Sequence, residues 1–315
     1  MIRRIQHRIA RSRIALPITI VYALTVWILA GTLTHGWWLQ LACFSVSCYL
    51  TILLSNVHAL IRVYSRMVSC AFIALNVAAC FLFPSLHGTV IQTCILGCLL
   101  LLFSIYQDHT ATGKTFYAFA LLGIASMLHV QLLWASLLLW VLMATTLMAL
   151  SWKTWAASLL GILLPYWFYG CWLLYQGDLT PFVAHFATLV PDIQTLQQEI
   201  FDYTLLSRQQ VLCLCLTIVS SFIGAIHFYI RKSRDKIRTR LYFYFLIWIE
   251  LVATVYLFVL PQQFDISFRI ITIGAAALTG HFIALSNSKV SSIIFLFIMG
   301  TTLLITLYNL RTWTA

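Results

Sequence analysis

The stretch RKSRDKIRTR, residues 231–240, separates two long apolar segments and determines how the rest of the chain is interpreted. It holds six of the 19 lysines and arginines of the protein. Because lysine and arginine are retained on the cytoplasmic side of a membrane, a basic stretch between apolar segments is typical of a cytoplasmic loop joining two membrane spans. The stretch therefore predicts a membrane protein and gives its orientation.

The composition of the whole chain agrees with this interpretation. Of its 315 residues, 62% are hydrophobic and only 9% are charged, whereas soluble domains are about half apolar and a quarter charged. The net charge of +11 is explained by basic loops beside anionic lipid, so nucleic-acid binding is not expected. The sequence predicts an all-α, polytopic transmembrane helix bundle whose main partner is the lipid bilayer.

Apolar segments recur along the chain and predict about eleven membrane spans. The stretch 115–150 is too long for one span and short for two, so we expect a bend at residues 129–131. Such a bend must be shielded by protein, because unpaired backbone is not tolerated in lipid. The predicted spans cover residues 14–33, 38–57, 67–83, 88–106, 116–128, 132–150, 156–175, 211–230, 241–260, 267–285 and 290–310.

Alternating these spans across the membrane separates the charges. The side that holds the N-terminus and residues 231–240 carries 16 of the 19 basic residues, and the other side carries Arg208, Arg269 and Arg311. This bias predicts a cytoplasmic N-terminus and an outer C-terminus. We expect residues 1–315 to form a single integral membrane domain.

Residues 176–210 form the long polar stretch of the chain and are expected on the outer side. Apolar residues at positions 193, 196, 200 and 203 have near-helical spacing, which predicts an interfacial amphipathic helix over about 192–205, capped by Asp192. One interpretation is a lid over an outward-facing cavity, with Asp178 and Asp192 as catalytic acids or bases. The other is a solvated connector that rests on the membrane.

Two charged residues lie in or beside predicted spans. Glu250 is the acid in the middle of the ninth span, where a charged and unpaired carboxylate is costly. It is either a catalytic or proton-relay group or a neutral carboxyl bonded inside the bundle. Arg269, at the outer edge of the tenth span, suits a phosphate or carboxylate substrate; the alternative is a structural ion pair with Asp265, one helical turn away.

Polar residues at the bend and in the outer loop are further candidates. His129 and Gln131 at the bend, and His185 in the outer loop, are candidates for substrate binding or proton transfer. Their spacing matches no metal-ligand pattern, so no metal site is predicted. The sequence does not indicate a cofactor.

Two resemblances add to this picture. The turn Ser151-Trp152-Lys153-Thr154-Trp155, followed by Leu164-Pro165-Tyr166, resembles an uncharacterised family of multi-pass inner-membrane proteins from Bacteroidetes-type bacteria. The resemblance covers mainly residues 115–180 and implies a multi-pass protein of the bacterial inner (plasma) membrane. It implies no catalytic residue, because that family has no known activity.

More distantly, the span with Pro165 that continues into Gly177-Asp178 and Pro181-Phe182 is similar to C-type-fold membrane glycosyltransferases. That resemblance implies a polyprenyl-phosphate-linked substrate. Those enzymes usually carry acidic residues in a large first outer loop, whereas the corresponding loop here, residues 34–37, is short and has no acid.

These observations leave three functions open, and the sequence does not decide whether the protein is an enzyme. The first is cell-envelope biogenesis, in which a lipid-linked or glycan substrate is handled at the outer face in a glycosyltransferase-like manner. The second is a transporter or flippase with Glu250 as the coupling group. The third is a non-catalytic subunit of an envelope complex. No protein partner is indicated.

Overall fold

A computed structural model describes residues 5–189, 200–204 and 206–314. Within these ranges the chain is helical, with short turns and no β-strand, so the all-α class predicted from the sequence is confirmed. The helices are α1 (Ile5–Ala10), α2 (Ala15–Leu29), α3 (Thr32–His35), α4 (Trp38–Val57), α5 (Met67–Ala78), α6 (Leu86–Phe103), α7 (Thr112–Leu128), α8 (Trp134–Thr145), α9 (Trp152–Gln176), α10 (Thr180–Ala187), α11 (Arg208–Arg231), α12 (Ile237–Val259), α13 (Phe264–Leu285) and α14 (Lys289–Thr314).

Each predicted span coincides with a helix, but the helices differ in length. Among the described residues, seven are long and apolar enough to cross a membrane, namely α4, α6, α9, α11, α12, α13 and α14. Four shorter apolar helices, α2, α5, α7 and α8, occupy the other predicted spans. The structure therefore gives seven candidate spans, and a total of eleven stays a prediction.

The chain divides into two compact units. The first unit comprises Met1–Thr89 and Tyr203–Ala315, and the second comprises Val90–Asp202. This division does not decide whether the chain forms a single membrane domain, which stays a prediction.

The first unit is built around α13. Its apolar window is 94% buried, whereas that of α11, the next most buried long helix of this unit, is 39% buried. The sequence GAAALTG, residues 274–280, explains this position, because small residues allow neighbouring helix backbones to approach closely. Helices α5, α11 and α12 pack around α13.

Two glycines make these approaches close. A Cβ added to Gly224 of α11 would lie 2.6 Å from the backbone carbonyl of Leu278 in α13. A Cβ added to Gly280 of α13 would lie 2.6 Å from the backbone nitrogen of Val68 in α5. Backbone atoms cannot move out of the way as a flexible side chain can. Both positions therefore require glycine if the helices are to lie this close together.

The second unit is organised by the packing of α7 against α9. Helix α9 begins at a capping box, in which Ser151 accepts a hydrogen bond from the Thr154 backbone and the Thr154 side chain accepts one from Ser151. It then runs without interruption through Pro165. The predicted bend before α8 is present, because His129 adopts an extended backbone conformation and ends α7.

The polar stretch 176–210 contains one described helix, α10, which begins just after Asp178. Most of the predicted interfacial helix over about 192–205 lies outside the described residues. Its described part, residues 200–204, has turns and irregular backbone rather than helix. Tyr203 donates a hydrogen bond of 2.7 Å to the Phe258 carbonyl, which ties this turn to the end of α12.

Candidate functional site

Glu250 lies within the first unit, where α12 packs against α13. The residue is only 8% exposed, although its helix presents much of its surface outward. Ser221 of α11 hydrogen-bonds to its carboxyl group. The second carboxyl oxygen, Oε2, is buried and has no hydrogen-bond partner among the described residues. This is an incompletely satisfied carboxyl in an apolar setting.

A glycine makes room for this carboxyl. A Cβ added to Gly274 of α13 would lie 2.7 Å from Glu250 Oε2 and 2.9 Å from Glu250 Cβ. The acid therefore rests directly against the backbone of α13. A charged carboxylate here would cost several kcal/mol without a partner, so the surroundings favour the neutral, protonated form.

A second buried polar cluster lies near the C-terminal end of α13. His281 Nε2 is 3.0 Å from Asp235 Oδ2, and Arg62 Nε is 3.9 Å from Asp235 Oδ1. The side chains of Asp235 and His281 are almost inaccessible, with 2% and 0% exposure. The short link between α11 and α12 positions Asp235, so an acid of the basic stretch 231–240 is folded inward against α13.

Aromatic rings enclose His281. The centroids of Phe228 and Phe243 lie 5.6 Å and 4.9 Å from that of His281, with their rings steeply inclined to it. His227 of α11 is a further neighbour, at 5.6 Å between ring centroids. Neither nitrogen of His227, nor Nδ1 of His281, has a hydrogen-bond partner in the described part of the chain.

A third cluster surrounds Arg269 near the N-terminal end of α13. Arg269 Nε donates to Asp265 Oδ1 at 2.6 Å, and Nη2 donates to the Leu82 carbonyl at 2.7 Å. Ser85 donates to the other Asp265 oxygen. Gly88 leaves space for the pair, because a Cβ there would lie 2.6 Å from Arg269 Nε. This geometry favours the structural ion pair over a substrate-binding role for Arg269.

The three clusters follow one another along α13. Arg269, Gly274 and His281 are separated by five and seven residues, which correspond to about 7 Å and 10 Å along a helix axis. Residues 274, 278 and 281 fall on one face, and that face meets Glu250, Gly224 and His227 of the two neighbouring helices. The most buried long helix of the first unit thus carries or contacts ionisable side chains along its length.

The remaining candidates belong to the second unit and form no single site. Gln131 Nε2 donates to the Thr188 carbonyl at 3.3 Å, after the end of α10. His185 Nε2 lies 3.3 Å from the Tyr166 hydroxyl, which donates to Ser126 at 2.9 Å. His129 Nε2 is buried and has no hydrogen-bond partner within the described residues.

The outer-loop acids take different positions. Asp178 is exposed and accepts a hydrogen bond of 2.8 Å from the Thr180 backbone nitrogen. Hydrogen bonds from the Thr180 side chain and backbone hold the pKa of the Asp178 carboxyl below its ordinary value, as is typical of a carboxylate at a helix start. Asp192 lies outside the described residues. The described residues contain no group of three His, Cys, Asp or Glu side chains placed to hold a metal ion.

Sequence reasoning missed Asp235, His281 and His227. Two signals were present in the sequence. Asp235 is the one acid inside the basic stretch 231–240, and His281 interrupts the last turns of an otherwise apolar span. A long-range contact joins them, and the sequence pattern alone does not indicate such a contact.

No known protein family, no curated protein and no solved structure matches the chain.

Proposed function

We propose that the protein is a proton-coupled membrane transporter or flippase in which Glu250 is the group that binds and releases the proton. The observation that carries this proposal is the position of the Glu250 carboxyl. It is buried against Gly274, and one of its oxygens has no hydrogen-bond partner among the residues that the structure describes. A structural carboxyl inside a bundle would be expected to satisfy both of its oxygens. A carboxyl group that exchanges protons needs a site in which its neutral form is stable. It also needs a second conformation in which it is exposed to water.

Proton exchange at Glu250 has a direct physical consequence for the helices. The neutral carboxyl fits the apolar contact between α12 and α13, whereas the carboxylate favours a position facing water or a cation. Loss of the proton would therefore favour separation of α12 from the Gly274 surface. Coupling the charge of one side chain to the separation of two helices is the property that a proton-driven transporter requires.

The Asp235–His281 cluster supports the same proposal. It lies seven residues from Gly274 on the same face of α13, and its histidine and carboxylate are the side-chain types that transfer protons. We propose that it exchanges protons between Glu250 and the side of the membrane that holds residues 231–240. Under the proposed orientation, in which the basic loops face the cytoplasm of a bacterial plasma membrane, that side is cytoplasmic.

A role in envelope biogenesis is compatible with this proposal, because a flippase that uses Glu250 could handle a lipid-linked or glycan substrate. The geometry gives little support to an enzyme that uses Asp178 as a catalytic acid or base. That carboxyl is exposed and is engaged at the start of α10. An enzyme and a proton-coupled transporter differ in the acidic residue that their activity requires. An enzyme working at the outer loop depends on Asp178, and a proton-coupled transporter depends on Glu250.

The experiment uses this difference. The purified chain is reconstituted into liposomes that contain a pH-sensitive dye, an inward proton gradient is imposed, and proton entry is recorded while sugars, amino acids and organic anions are added in turn. We expect solute-dependent proton entry in the wild type and in Asp178→Asn, and its loss in Glu250→Gln. Equal proton entry in Glu250→Gln and the wild type would contradict the proposal.

A further inference from the structure

An apolar groove lies in the first unit, separate from Glu250. It has a volume of about 460 Å³ and is lined by residues of α1, α2, α5, α13 and α14, which is within the size range of binding sites for single small molecules. The hydroxyls in its wall are mostly engaged elsewhere, since Thr19 donates to the Leu16 carbonyl and Thr302 to the Ile298 carbonyl. The groove therefore suits an apolar ligand.

The groove is elongated along the helices. On each of three helices its lining residues recur every three or four positions over about two turns, a length of roughly 10–12 Å. These segments run from Ala15 to Tyr22 on α2, from Met67 to Leu75 on α5 and from Phe295 to Leu303 on α14. Ile18 and Leu303 are also exposed on the outer surface of the unit, so the groove is open along its side. A long, narrow, apolar and laterally open groove matches a hydrocarbon chain.

One end of the groove is cationic. Arg11 and Arg13 lie in the turn that joins the lining residues Ile9 and Ala15, and Arg66 directly precedes Met67. The two segments are tied together, because Ser65 donates a hydrogen bond of 2.8 Å to the Ala10 carbonyl. The three arginines are thus held at the same end of the groove, where they favour a negatively charged headgroup.

We propose that this groove binds an acyl chain of an anionic phospholipid, with the lipid phosphate at Arg11, Arg13 and Arg66. The apolar walls recognise the chain, and the arginines select the charge of the headgroup. This lipid site is independent of proton exchange at Glu250, so the failure of either proposal leaves the other standing.

Native mass spectrometry of the detergent-purified full chain tests the site. The chain is mixed with phosphatidylglycerol or phosphatidylcholine of identical acyl composition, and the lipid retained on the protein is counted. We expect preferential retention of phosphatidylglycerol. Replacing Arg11, Arg13 or Arg66 with glutamine weakens that retention by about fivefold for each arginine, because one basic residue near an anionic lipid contributes about 1 kcal/mol.

Variants that fill the groove distinguish binding of the acyl chain from attraction of the headgroup by the arginines. Ala74→Leu on α5 and Met299→Phe on α14 occupy space that the acyl chain needs, so both variants are expected to lose phosphatidylglycerol. Leu304→Phe, on an exposed position of the same helix as Met299, is the matched control and is expected to retain it. Equal retention of both lipids by the wild type, or unchanged retention in the two filled variants, would overturn the proposal.

Discussion

Replacing Gly224 with alanine tests one of the two closest backbone approaches described for the first unit. The added Cβ would lie 2.6 Å from the carbonyl carbon and oxygen of Leu278, whereas carbon atoms in contact are about 3.5–4.0 Å apart. Helices α11 and α13 must therefore separate by about 1 Å. Overpacking of this kind costs about 1–3 kcal/mol, and we expect the free energy of unfolding to fall accordingly.

A matched variant isolates this cost. Alanine has a higher helix propensity than glycine by about 1 kcal/mol, and this gain partly offsets the loss at position 224. Gly300 lies in the middle of α14, and apart from the backbone of its own helix no atom of the described residues lies within 4 Å of an added Cβ. Gly300→Ala therefore receives the propensity gain without the clash, and the difference between the two variants measures the clash alone.

The measurement is equilibrium unfolding of the purified chain in mixed micelles, in which SDS is increased against a mild detergent and helix content is followed by circular dichroism. We expect Gly224→Ala to be less stable than Gly300→Ala by about 1–3 kcal/mol. Equal stability of the two variants would refute the close approach of α11 to α13.

The same unfolding assay tests two further contacts. Asp235→Ala removes the hydrogen-bond partner of the buried His281 and is expected to lower the free energy of unfolding by about 1–3 kcal/mol. Asp235→Asn keeps an acceptor and is expected to lower it less. If both variants were as stable as the wild type, the cluster with His281 would not be formed. Ser207→Ala breaks the capping box at the start of α11 and is expected to lower the free energy of unfolding by about 1 kcal/mol. The control is Ser233→Ala, at an exposed position. Identical unfolding midpoints of these two variants would argue against the cap.

The positions of the helices were largely predictable because hydropathy determines where apolar helices form. Helix α4 has the bounds of the predicted second span, 38–57, and the helix ends at the predicted bend at His129. Helix length was less predictable. The predicted third span reaches residue 83, but α5 ends at Ala78, five residues before Phe83.

From the sequence, a site residue could be identified only where it stood out by itself from its neighbours. Glu250 stands out as an acid in an apolar span, and its burial agrees with the expected interior position. Its surroundings did not follow from the sequence, because Ser221 and Gly274 reach it through the pairing of three helices. The sequence places Asp235 in the basic cytoplasmic loop 231–240 and does not indicate its contact with His281, 46 positions away along the chain, where the side chain is buried.

Protonation of Glu250 in the folded protein is the most direct test of the proposed mechanism. A carbodiimide reacts with a carboxyl group only in its protonated form, and an apolar reagent reaches an acid within the bundle only when the helices open. The reconstituted chain is treated with dicyclohexylcarbodiimide over a range of pH, and the adduct at position 250 is quantified by peptide mass spectrometry, with exposed Asp178 as the internal reference. We predict an adduct at Glu250 that increases as pH falls and is absent in Glu250→Gln. A Glu250 that remains unmodified at every pH would be a permanently buried structural carboxyl, and that result would contradict the proposed function.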